Sequence, residues 1–521
     1  MLETEVLVVG AGPVGMLLAT LLGKADVEVV VINKHTVPNV LPRAVSLDGT
    51  SARILRQAGL TEEQVRDLLI PGRGTVYYGV DRQVLFQAFG PFKNLDGYSF
   101  KNAFLQPELE RTLFQKLQGQ PRCRILLECT WLGAQYQSDG RMLSTVRCKD
   151  GQLETIRSRY VIGCDGANST VRQFFQFEYK EKVFKEPWLA MDVINDPHDE
   201  NVAMHFGIPC RPHVIVPYGQ KQCRYEFRLF GNEYGNEIAN QSHVSFALIE
   251  RLLSPFRKIE PKDVVRASIY FFRSGIAKKW VKNRVILAGD AAHLMPPFAG
   301  ASLNCGLLDA HDLAWRLIYI LKHHYDDEFL LREYEIERKI HVKRMIRLSE
   351  FLGYTIMTTN HVFGRTRDAI LRFITQVKPI YSYLAQAQFR PQPVYSKIKR
   401  RGLVGRFVPN VSVNFEGQLF SINDLIYGKS AIVGTEEDLN RLKPRLANHS
   451  SVLLLALDEN GLASGVHEIT KNKGPLLLRP DGVVAAQIDR RKIEKCEWSD
   501  FAFGAAGQIG PIWWRKAFGQ P

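Results

Sequence analysis

Three glycines near the amino terminus have the spacing of a loop that binds phosphate. Residues 5–9 predict a buried parallel strand, and an apolar helix is predicted to run through about Leu22. Between them, Gly10 allows a tight turn, Gly12 lets the backbone approach a pyrophosphate, and Gly15 lets the helix pack closely on the strand. The phosphates would lie at the positive end of that helix. This segment therefore predicts a dinucleotide site.

A polar residue ends the second predicted strand of the same unit. That strand covers residues 27–32, and Asn33 stands where the dinucleotide fingerprint usually carries an acidic residue for the ribose hydroxyls. An amide bonds a hydroxyl more weakly than a carboxylate does. A glycine-rich turn without a ligand is the competing interpretation, and the fingerprint alone does not distinguish FAD from NAD.

Two later segments each carry an aspartate to a tight turn at the end of an apolar strand. Residues 160–172 contain Asp165-Gly166, and residues 284–293 contain Gly289-Asp290. In this order and with this separation, the segments resemble the Asp-Gly and Gly-Asp motifs of the flavin-dependent aromatic hydroxylases. This is the family of para-hydroxybenzoate hydroxylase and phenol hydroxylase.

The resemblance touches nearly the whole chain. Further matching segments are Pro42-Arg43-Ala44, residues 105–110, and Asn304-Cys305-Gly306 with Asp309 and Trp315 beyond. Near the end, Leu478-Arg479-Pro480-Asp481-Gly482 is similar to the signature of a thioredoxin-like tail. That tail occurs in the branch of phenol hydroxylase and 3-(3-hydroxyphenyl)propionate hydroxylase. By these motifs the chain is identified as a member of the family.

The resemblance implies FAD as the bound cofactor, with NADPH or NADH as a transient co-substrate. Arg43 and Gln106 would contact the phosphates and ribityl chain, although a surface ion pair and a loop amide are their alternative roles. Asp290 would hold a ribityl hydroxyl, and Asp165 with Gly166 would support both nucleotides. The full set that the resemblance assigns to the cofactor is Gly10, Gly12, Pro13, Val14, Gly15, Asn33, Lys34, Arg43, Gln106, Asp165, Gly166, Gly289, Asp290, Pro297, Gly300, Ser302, Leu303 and Asn304.

One position in the turn next to the flavin departs from the family pattern. The family usually has Gly-Gln-Gly-Met-Asn, whereas this chain has Gly300-Ala301-Ser302-Leu303-Asn304. Ser302 adds a side chain where the family has only hydrogen. We therefore expect it to restrict the movement of the flavin ring between reduction and oxygenation.

The family's chemistry is carried by the cofactor. NAD(P)H reduces FAD, O2 adds to the reduced ring, and the resulting hydroperoxide hydroxylates an electron-rich aromatic ring. The protein must supply a closed, dry pocket, so no motif of catalytic side chains is required. A phenol must also lose its proton. The candidate pocket groups are His205, His213, Tyr218, Tyr225 and Tyr270, for each of which a buried structural role is the competing interpretation.

These observations predict a monooxygenase that hydroxylates a small aromatic, phenolic substrate. Positive charge and the tail motif favour an anionic phenol such as a hydroxyphenylpropionate. Three alternatives stay open: a flavin oxidoreductase of the same fold that inserts no oxygen, a hydroxylase of a larger polyketide or antibiotic, and a nucleotide-binding scaffold. The scaffold would account for the departures at Asn33 and Ser302.

The predicted fold is α/β, with a discontinuous Rossmann-like FAD-binding domain, an inserted β-sheet substrate domain, a helical segment and a C-terminal thioredoxin-like domain. The first part of the FAD-binding domain covers 1–178, of which 76–99 belongs partly to the substrate domain. The substrate sheet covers 179–275, the second FAD part and the helical segment cover 276–390, and 391–521 holds a linker and the thioredoxin-like domain. That last domain has no CxxC pair, which excludes thiol–disulfide redox activity. By the resemblance, we predict for it a structural role or contacts in a homodimer.

The composition limits the partners and the compartment. The 521 residues carry a formal net charge of +14, which suits nucleic acid, an anionic membrane surface or acidic small molecules. The cations are dispersed and no basic and aromatic platform is present, so we predict no nucleic-acid partner. The eight cysteines include no zinc-type spacing, which predicts reduced thiols in a cytoplasmic protein without a metal site.

One uncharged stretch, residues 6–23, approaches the length of a short membrane span. Its glycines and Pro13 would break a membrane helix near its start. Acidic Glu3 and Glu5 stand where a signal peptide has basic residues. We therefore predict no integral membrane segment.

Overall fold

The structure is a computed structural model of the chain. It describes residues 1–36, 43–91, 97–198, 200–219, 221–233, 244–393, 395, 403–446, 452–457, 466, 470 and 473–495. Pro42 of the Pro42-Arg43-Ala44 motif lies outside the described residues, as do several parts of the stretch 391–521.

The described chain alternates strands and helices. The strands are β1 Leu2–Glu3, β2 Val6–Val9, β3 Val29–Asn33, β4 Ser46–Asp48, β5 Leu69–Pro71, β6 Thr75–Tyr78, β7 Val84–Ala88, β8 Lys101–Phe104, β9 Cys123–Leu127, β10 Thr130–Tyr136, β11 Met142–Arg147, β12 Leu153–Ser158, β13 Tyr160–Gly163, β14 Tyr179–Val193, β15 Ala203–Phe206, β16 His213–Gly219, β17 Gln222–Arg228, β18 Val264–Ala277, β19 Val281–Lys282, β20 Val285–Leu287, β21 His293–Leu294, β22 Ser412–Phe415, β23 Gln418–Ser421, β24 Ser430–Gly434, β25 Val452–Leu457, β26 Leu476–Leu478 and β27 Val484–Gln487. The α-helices are α1 Pro13–Lys24, α2 Gly49–Gln57, α3 Glu62–Leu68, α4 Gln106–Gln118, α5 Thr170–Phe174, α6 Phe246–Leu253, α7 Ser302–His323, α8 Asp327–Ile356, α9 His361–Ile374, α10 Lys378–Ala385, α11 Ile422–Leu425 and α12 Glu436–Leu446.

A six-stranded sheet at the amino-terminal end has the order β19-β20-β13-β2-β3-β9. Strand β2 pairs in parallel with β3 and with β13. All four residues of β2 are buried, as expected for a parallel strand covered by helices on both faces. Helices α1 and α7 pack against each other in the same core. This arrangement places the glycine-rich loop at the carboxyl end of β2, where open α/β sheets bind ligands.

An eight-stranded sheet lies beside this unit, in the order β21-β18-β14-β17-β16-β15-β6-β7. Its long strands β14 and β18 pair in antiparallel fashion, and β6 and β7 join from an earlier part of the chain. Because successive residues of a strand point to opposite faces, each strand contributes to two surfaces. One face packs on α6 in a separate core that includes Leu189, Met191 and Phe227. The other face looks towards the glycine-rich unit.

A third sheet, in the order β23-β22-β25-β24-β26-β27, forms the carboxy-terminal part of the described chain. Strands β24 and β25 are parallel, whereas β26 runs antiparallel to β24 and β27 antiparallel to β26. Helix α12 connects the two parallel strands. The inner residues of this sheet form their own apolar cores.

A buried cluster of charges joins this sheet to the helices of the amino-terminal unit. Arg479, which follows β26, contacts Glu337 of α8 at 3.0 Å, Asp312 of α7 at 3.2 Å and Asp481 at 2.7 Å. Arg316 of α7 also pairs with Glu337, at 2.6 Å. The two guanidinium groups are fully buried. We call these five residues the 479 cluster.

The seven cysteines that the structure describes are all free thiols. Within the described ranges, no helix has an apolar stretch long enough to cross a bilayer.

Candidate functional site

A cavity of about 610 Å³ lies between the glycine-rich loop and the eight-stranded sheet. Its size falls in the range of small-molecule sites, about 300–1,000 Å³. The predicted cofactor residues that line it are Gly10, Gly12, Pro13, Val14, Asn33, Lys34, Arg43, Gln106, Asp165, Gly166, Asp290, Pro297, Gly300, Ser302 and Leu303. Segments that are hundreds of residues apart in the sequence therefore meet around one space.

The three glycines of the loop differ in what a Cβ at each position would meet. Gly10 has a φ of +109°, and a Cβ there would lie 2.5 Å from the carbonyl oxygen of Cys164. A Cβ on Gly15 would lie 2.0 Å from the carbonyl oxygen of Gly10. At Gly12, by contrast, a Cβ would meet nothing within 4 Å, because this residue faces the open cavity at the start of α1. The protein's own packing therefore requires Gly10 and Gly15 to be glycine, but not Gly12.

Asn33 supports the loop from the end of β3. Its side-chain oxygen accepts a hydrogen bond from the backbone N–H of Ala11 at 3.2 Å, and its amide nitrogen donates to the carbonyl of His35 at 2.8 Å. A carboxylate could accept the first bond but could not donate the second. The asparagine therefore has a structural task at the position where the fingerprint has an acid.

Gln106 holds the backbone of the loop that carries Arg43. Its side-chain oxygen accepts from the backbone N–H of Ala44 at 2.7 Å and of Arg43 at 3.2 Å. Its amide nitrogen donates to Glu110 at 2.7 Å. Gln106 therefore positions the loop as well as lining the cavity, a role that local sequence reasoning did not anticipate.

Asp165 presents an unpaired oxygen in the cavity wall. One carboxylate oxygen accepts from the backbone N–H of Val171 at 3.1 Å, and the other, Oδ1, is buried without a partner among the described residues. Burial raises the pKa of Asp165 against the opposing effect of its hydrogen bonds. A buried acceptor without a partner is costly unless a ligand donates to it.

Asp290 and Ser302 face each other across the cavity's edge. The Ser302 hydroxyl donates to Oδ1 of Asp290 at 2.8 Å. The turn before Asp290 is held from behind by Asp309, which accepts from the backbone N–H of Gly289 at 3.1 Å and contacts His293 at 2.7 Å. The serine that departs from the family pattern is therefore bonded to the aspartate predicted to hold the ribityl chain.

Three predicted cofactor residues do not line the cavity: Gly15, Gly289 and Asn304. Gly15 and Gly289 allow close backbone packing, since a Cβ at Gly289 would lie 3.1 Å from Val14. Asn304 is buried, where its side chain accepts from Ser51 at 2.8 Å and donates to the carbonyl of Gly300 at 2.9 Å. We therefore correct their role: these residues support the cavity wall by packing and hydrogen bonds and do not line the cavity.

The eight-stranded sheet supplies a polar wall at the other side of the cavity. His205, Val214 and Glu226 are opposite each other on three neighbouring strands, so they share one face. Burial lowers the pKa of His205 to about 3, which keeps its ring uncharged. Burial raises the pKa of Glu226, which is hydrogen-bonded to Tyr270.

Lys101 enters the cavity from β8, below this wall. Its ammonium group donates to the hydroxyl of Thr75 at 2.9 Å. Within the described ranges no carboxylate forms an ion pair with it. Burial, with a further contribution from the nearby Arg390, lowers its pKa to about 7. Lys101 and Glu226 were missed at the sequence level because single charged residues in strands carry no motif.

Two of the predicted substrate contacts lie on the wrong face of the sheet. His213 is paired with Phe227 and stacks on Phe206, in the core under α6. The hydroxyl of Tyr225 donates to Asp196 at 3.0 Å on that same side. Strand alternation places both side chains away from the cavity, so we withdraw them as substrate contacts.

Of the other three candidate pocket groups, His205 lines the cavity, whereas Tyr218 and Tyr270 do not. Tyr218 follows an irregularity in β16 and packs with Val45 and Ala103. Tyr270 is half-buried on the same face of the sheet as Glu226, to which it is hydrogen-bonded.

A possible group of metal ligands lies on the far face of the sheet. Asp196, His198 and Cys223 have ligand atoms within 4.8 Å of one another. Asp196 already accepts from Tyr225 at 3.0 Å and pairs with Arg257 at 3.2 Å. A guanidinium group in contact with Asp196 would repel a metal ion, so we assign no metal to this group.

Comparison with known proteins identifies the class that this fold and cavity define. A family model described as an FAD binding domain matches residues 3–349, which is most of the chain. The chain belongs to this family of FAD-dependent proteins.

Curated relatives narrow the class further. The chain is 32% identical over 400 residues to a 3-(3-hydroxy-phenyl)propionate/3-hydroxycinnamic acid hydroxylase of Comamonas testosteroni, covering 76% of this chain and 66% of the relative. It is 30% identical over 434 residues to a protein of the same description from Paraburkholderia xenovorans, covering 81% of this chain and 68% of the relative. The family resemblance predicted from the motifs is thus confirmed, on the branch of these aromatic hydroxylases.

Solved structures share the fold across nearly the whole chain. The anhydrotetracycline hydroxylase OxyS from Streptomyces rimosus has a TM-score of 0.77 at 19% identity and covers 100% of both chains. The flavin-dependent monooxygenase PieE has a TM-score of 0.75 at 17% identity, covering 95% of this chain and 97% of its own. These matches confirm the predicted mixed α/β fold.

Proposed function

We propose that this protein uses NAD(P)H and O2 to hydroxylate a phenolic substrate, with FAD bound between the glycine-rich loop and the wall of the eight-stranded sheet. The observation that carries the proposal is the single cavity that joins these two regions. The relatives' descriptions as hydroxylases of phenolic acids support the same reaction.

The residues around the cavity fit FAD. Gly12 leaves open space at the amino terminus of α1, where backbone N–H groups and the helix dipole favour a pyrophosphate. The unpaired oxygen of Asp165 offers an acceptor to a ligand hydroxyl. Asp290 lies at the cavity edge with one oxygen held by Ser302 and can accept a further bond from the ribityl chain.

Bound FAD would supply the redox chemistry, taking a hydride from NAD(P)H and activating O2. The chain's own residues bind the cofactor, orient the substrate and exclude water from the site. Leu294, Met295 and Phe298 place apolar surface in the cavity wall and exclude water. Glu226, backed by the hydroxyl of Tyr270, is the group that we assign to receive the phenol proton.

The first experiment measures NADH and NADPH oxidation in air by the FAD-loaded protein, with and without phenols, phenolic acids and polyketides. We expect phenolic acids to accelerate oxidation and to yield hydroxylated product that retains oxygen from isotopically labelled O2. Hydrogen peroxide without product would instead indicate the oxidoreductase alternative. Product from polyketides alone would move the assignment to larger substrates.

Lys101 predicts that the substrate carries a carboxylate. Its positive charge faces the cavity and lacks an acidic partner within the described chain, and such a cation is stabilised by an anionic ligand. We expect Lys101→Met to weaken binding of 3-(3-hydroxyphenyl)propionate roughly tenfold to a hundredfold. Binding of the neutral amide of the same compound should change little. Calorimetric titration of the FAD-loaded protein measures both affinities without turnover.

The pH dependence tests the same contact. Burial lowers the pKa of Lys101 to about 7, so affinity for the carboxylate should fall as the pH rises above 7. Lys101→Arg keeps its charge at all these pH values and should lose this dependence while retaining the preference for the acid. Equal losses for acid and amide in Lys101→Met would show that the lysine has only a structural role.

The carboxy-terminal sheet is, we propose, a thioredoxin-like domain without redox activity. Its strands β25-β24-β26-β27 have one parallel pair linked by a helix and two following antiparallel strands, which supports that assignment. The sequence has no CxxC pair, and Arg479 connects the sheet to α7 and α8, which supports a structural role. The free thiols of the described cysteines suit a reducing compartment such as the cytoplasm.

A further inference from the structure

Helix α9 buries the charged pair Arg367 and Asp368 and exposes most of its apolar residues. On the inner side, Arg367 pairs with Asp368 at 2.6 Å, and Asp368 accepts from the backbone N–H of Val80 at 2.6 Å. Arg367 also donates to the carbonyls of Ile356 at 2.8 Å and Gly207 at 2.9 Å. Rolling the helix to bury its apolar side would leave this buried ion pair without partners, at a large cost. These contacts therefore fix which side of α9 faces the protein and which side faces outwards.

Helices α9 and α10 carry a set of exposed apolar residues that we call the α9–α10 face. It consists of Val362, Phe363, Ile370, Phe373, Ile380 and Tyr381. Val362 is 76% exposed and Phe373 is 71% exposed. Val362, Ile370 and Phe373 follow helical spacing and lie on one side of α9. Single exposed apolar residues are ordinary, whereas a stripe of them marks a contact surface.

The exposed charged residues of α9 and α10 themselves are positive. Arg365 and Lys378 are exposed on α9 and α10, and Arg372 is exposed with Asp81 as its partner. Residues 361–390 contain one acidic residue, Asp368, which is buried. The face is therefore apolar with a cationic rim.

This charge pattern discriminates among occupants. A second copy of the chain docked by a two-fold axis would bring Arg365 and Lys378 near the same cations of its partner. Residues 361–390 offer no exposed carboxylate to offset them, and Asp81 beside the face is already paired with Arg372. Like charges across an interface are unfavourable. An anionic surface is complementary to the rim, and the chain's net charge of +14 adds to the attraction at longer range.

We infer that the α9–α10 face docks on an anionic phospholipid bilayer. The apolar side chains of α9 enter the boundary between head groups and acyl chains, and Arg365 and Lys378 contact lipid phosphates. Tyr381, with an apolar ring and a polar hydroxyl, is a residue type suited to that boundary. This is how amphipathic helices lie in the membrane plane without crossing it.

Vesicle sedimentation of the full FAD-loaded chain tests the inference independently of any turnover. We expect binding to phosphatidylcholine vesicles that contain phosphatidylserine at least about tenfold stronger than binding to phosphatidylcholine alone. Added salt should weaken it. In Phe373→Trp, the indole emission should shift to the blue when anionic vesicles are added, because the new side chain enters an apolar environment.

Double variants distinguish vesicle binding by the α9–α10 face from binding caused by the positive charge of the whole protein. Ile370→Asn/Phe373→Ser should reduce vesicle binding roughly tenfold, and Arg365→Glu/Lys378→Glu should do the same. The matched controls are Leu153→Asn/Leu419→Ser, at similarly exposed apolar positions elsewhere, and Lys258→Glu/Lys279→Glu, at exposed lysines elsewhere. These controls should bind as the unchanged protein does.

Three outcomes would overturn the inference. The first is no binding to anionic vesicles at low salt. The second is unchanged vesicle binding by Ile370→Asn/Phe373→Ser, which would assign binding to charge alone. The third is a dimer that this variant converts to monomer in sedimentation velocity, which would assign the face to a second copy of the chain.

Discussion

Replacing Arg479 with methionine is expected to destabilise the protein by about 3–5 kcal/mol, one of the largest effects of any single substitution. Arg479 contacts Glu337, Asp312 and Asp481, all of them almost fully buried. Without it, Asp312 and Glu337 keep the guanidinium group of Arg316, and Asp481 loses its guanidinium partner. Removing one partner from a buried group of charges leaves the others uncompensated in a low-dielectric interior. Urea or thermal unfolding, followed by circular dichroism, measures the loss.

The effect of pH tests whether charge causes the loss. Burial already raises the pKa of Glu337 against the two arginines that favour its charged form. Without Arg479 its folded-state pKa should rise further above the unfolded value. The variant should therefore regain stability relative to the unchanged protein as the pH falls and a carboxylate takes up a proton. A loss of packing alone would show no such recovery.

A matched control is available on the same domain. The Arg491 side chain is 88% exposed, and within the described part of the chain its ion-pair partner is Asp489 at 3.0 Å. Arg491→Met should change the free energy of unfolding by about 0.5 kcal/mol or less, because exposed ion pairs contribute little. If Arg479→Met unfolded under the same conditions as Arg491→Met, the 479 cluster would not be a stabilising link between the carboxy-terminal sheet and helices α7 and α8.

The 479 cluster also shows how far the sequence could predict the structure. The segment from Leu478 to Gly482 was recognisable as a motif of the carboxy-terminal domain. Nothing local indicated that Arg479 reaches Glu337 and Asp312, since those partners lie more than a hundred residues away. Motifs report the local backbone conformation, whereas buried charge partners are set by tertiary packing.

The difference between local motifs and tertiary packing also explains which cavity residues could be predicted. The glycine-rich loop was predictable because strand, turn and helix are adjacent, and because Gly10 and Gly15 each have a local steric reason. The residues of the substrate wall were not predictable. Alternate residues of a strand point to opposite faces, and the sequence does not show which face packs against α6. His213 and Tyr225 were therefore chosen by residue type and lie on the wrong face. Lys101 lines the cavity without a motif to reveal it.

Gly12→Val is expected to abolish most FAD binding while leaving the apoprotein folded. The backbone at Gly12 has φ −77° and ψ 178°, an extended conformation open to any residue. A Cβ there meets no protein atom within 4 Å, so the side chain fits the folded protein but occupies space that the pyrophosphate needs. We expect a loss of affinity of roughly 100-fold, about 2.7 kcal/mol. Flavin fluorescence during reconstitution measures it.

Two further glycines make this prediction specific. Gly15→Val should lower the stability of the apoprotein itself, because its Cβ would lie 2.0 Å from the carbonyl oxygen of Gly10. Gly119→Val, at the exposed end of α4, meets atoms only at 3.6 Å or beyond and should alter neither stability nor FAD affinity appreciably. Unchanged FAD affinity in Gly12→Val would mean that the phosphates do not lie on this loop. Of the three loop glycines, Gly12 is the one whose Cβ would meet open space. If the Gly12→Val apoprotein did not fold, this geometry would be wrong.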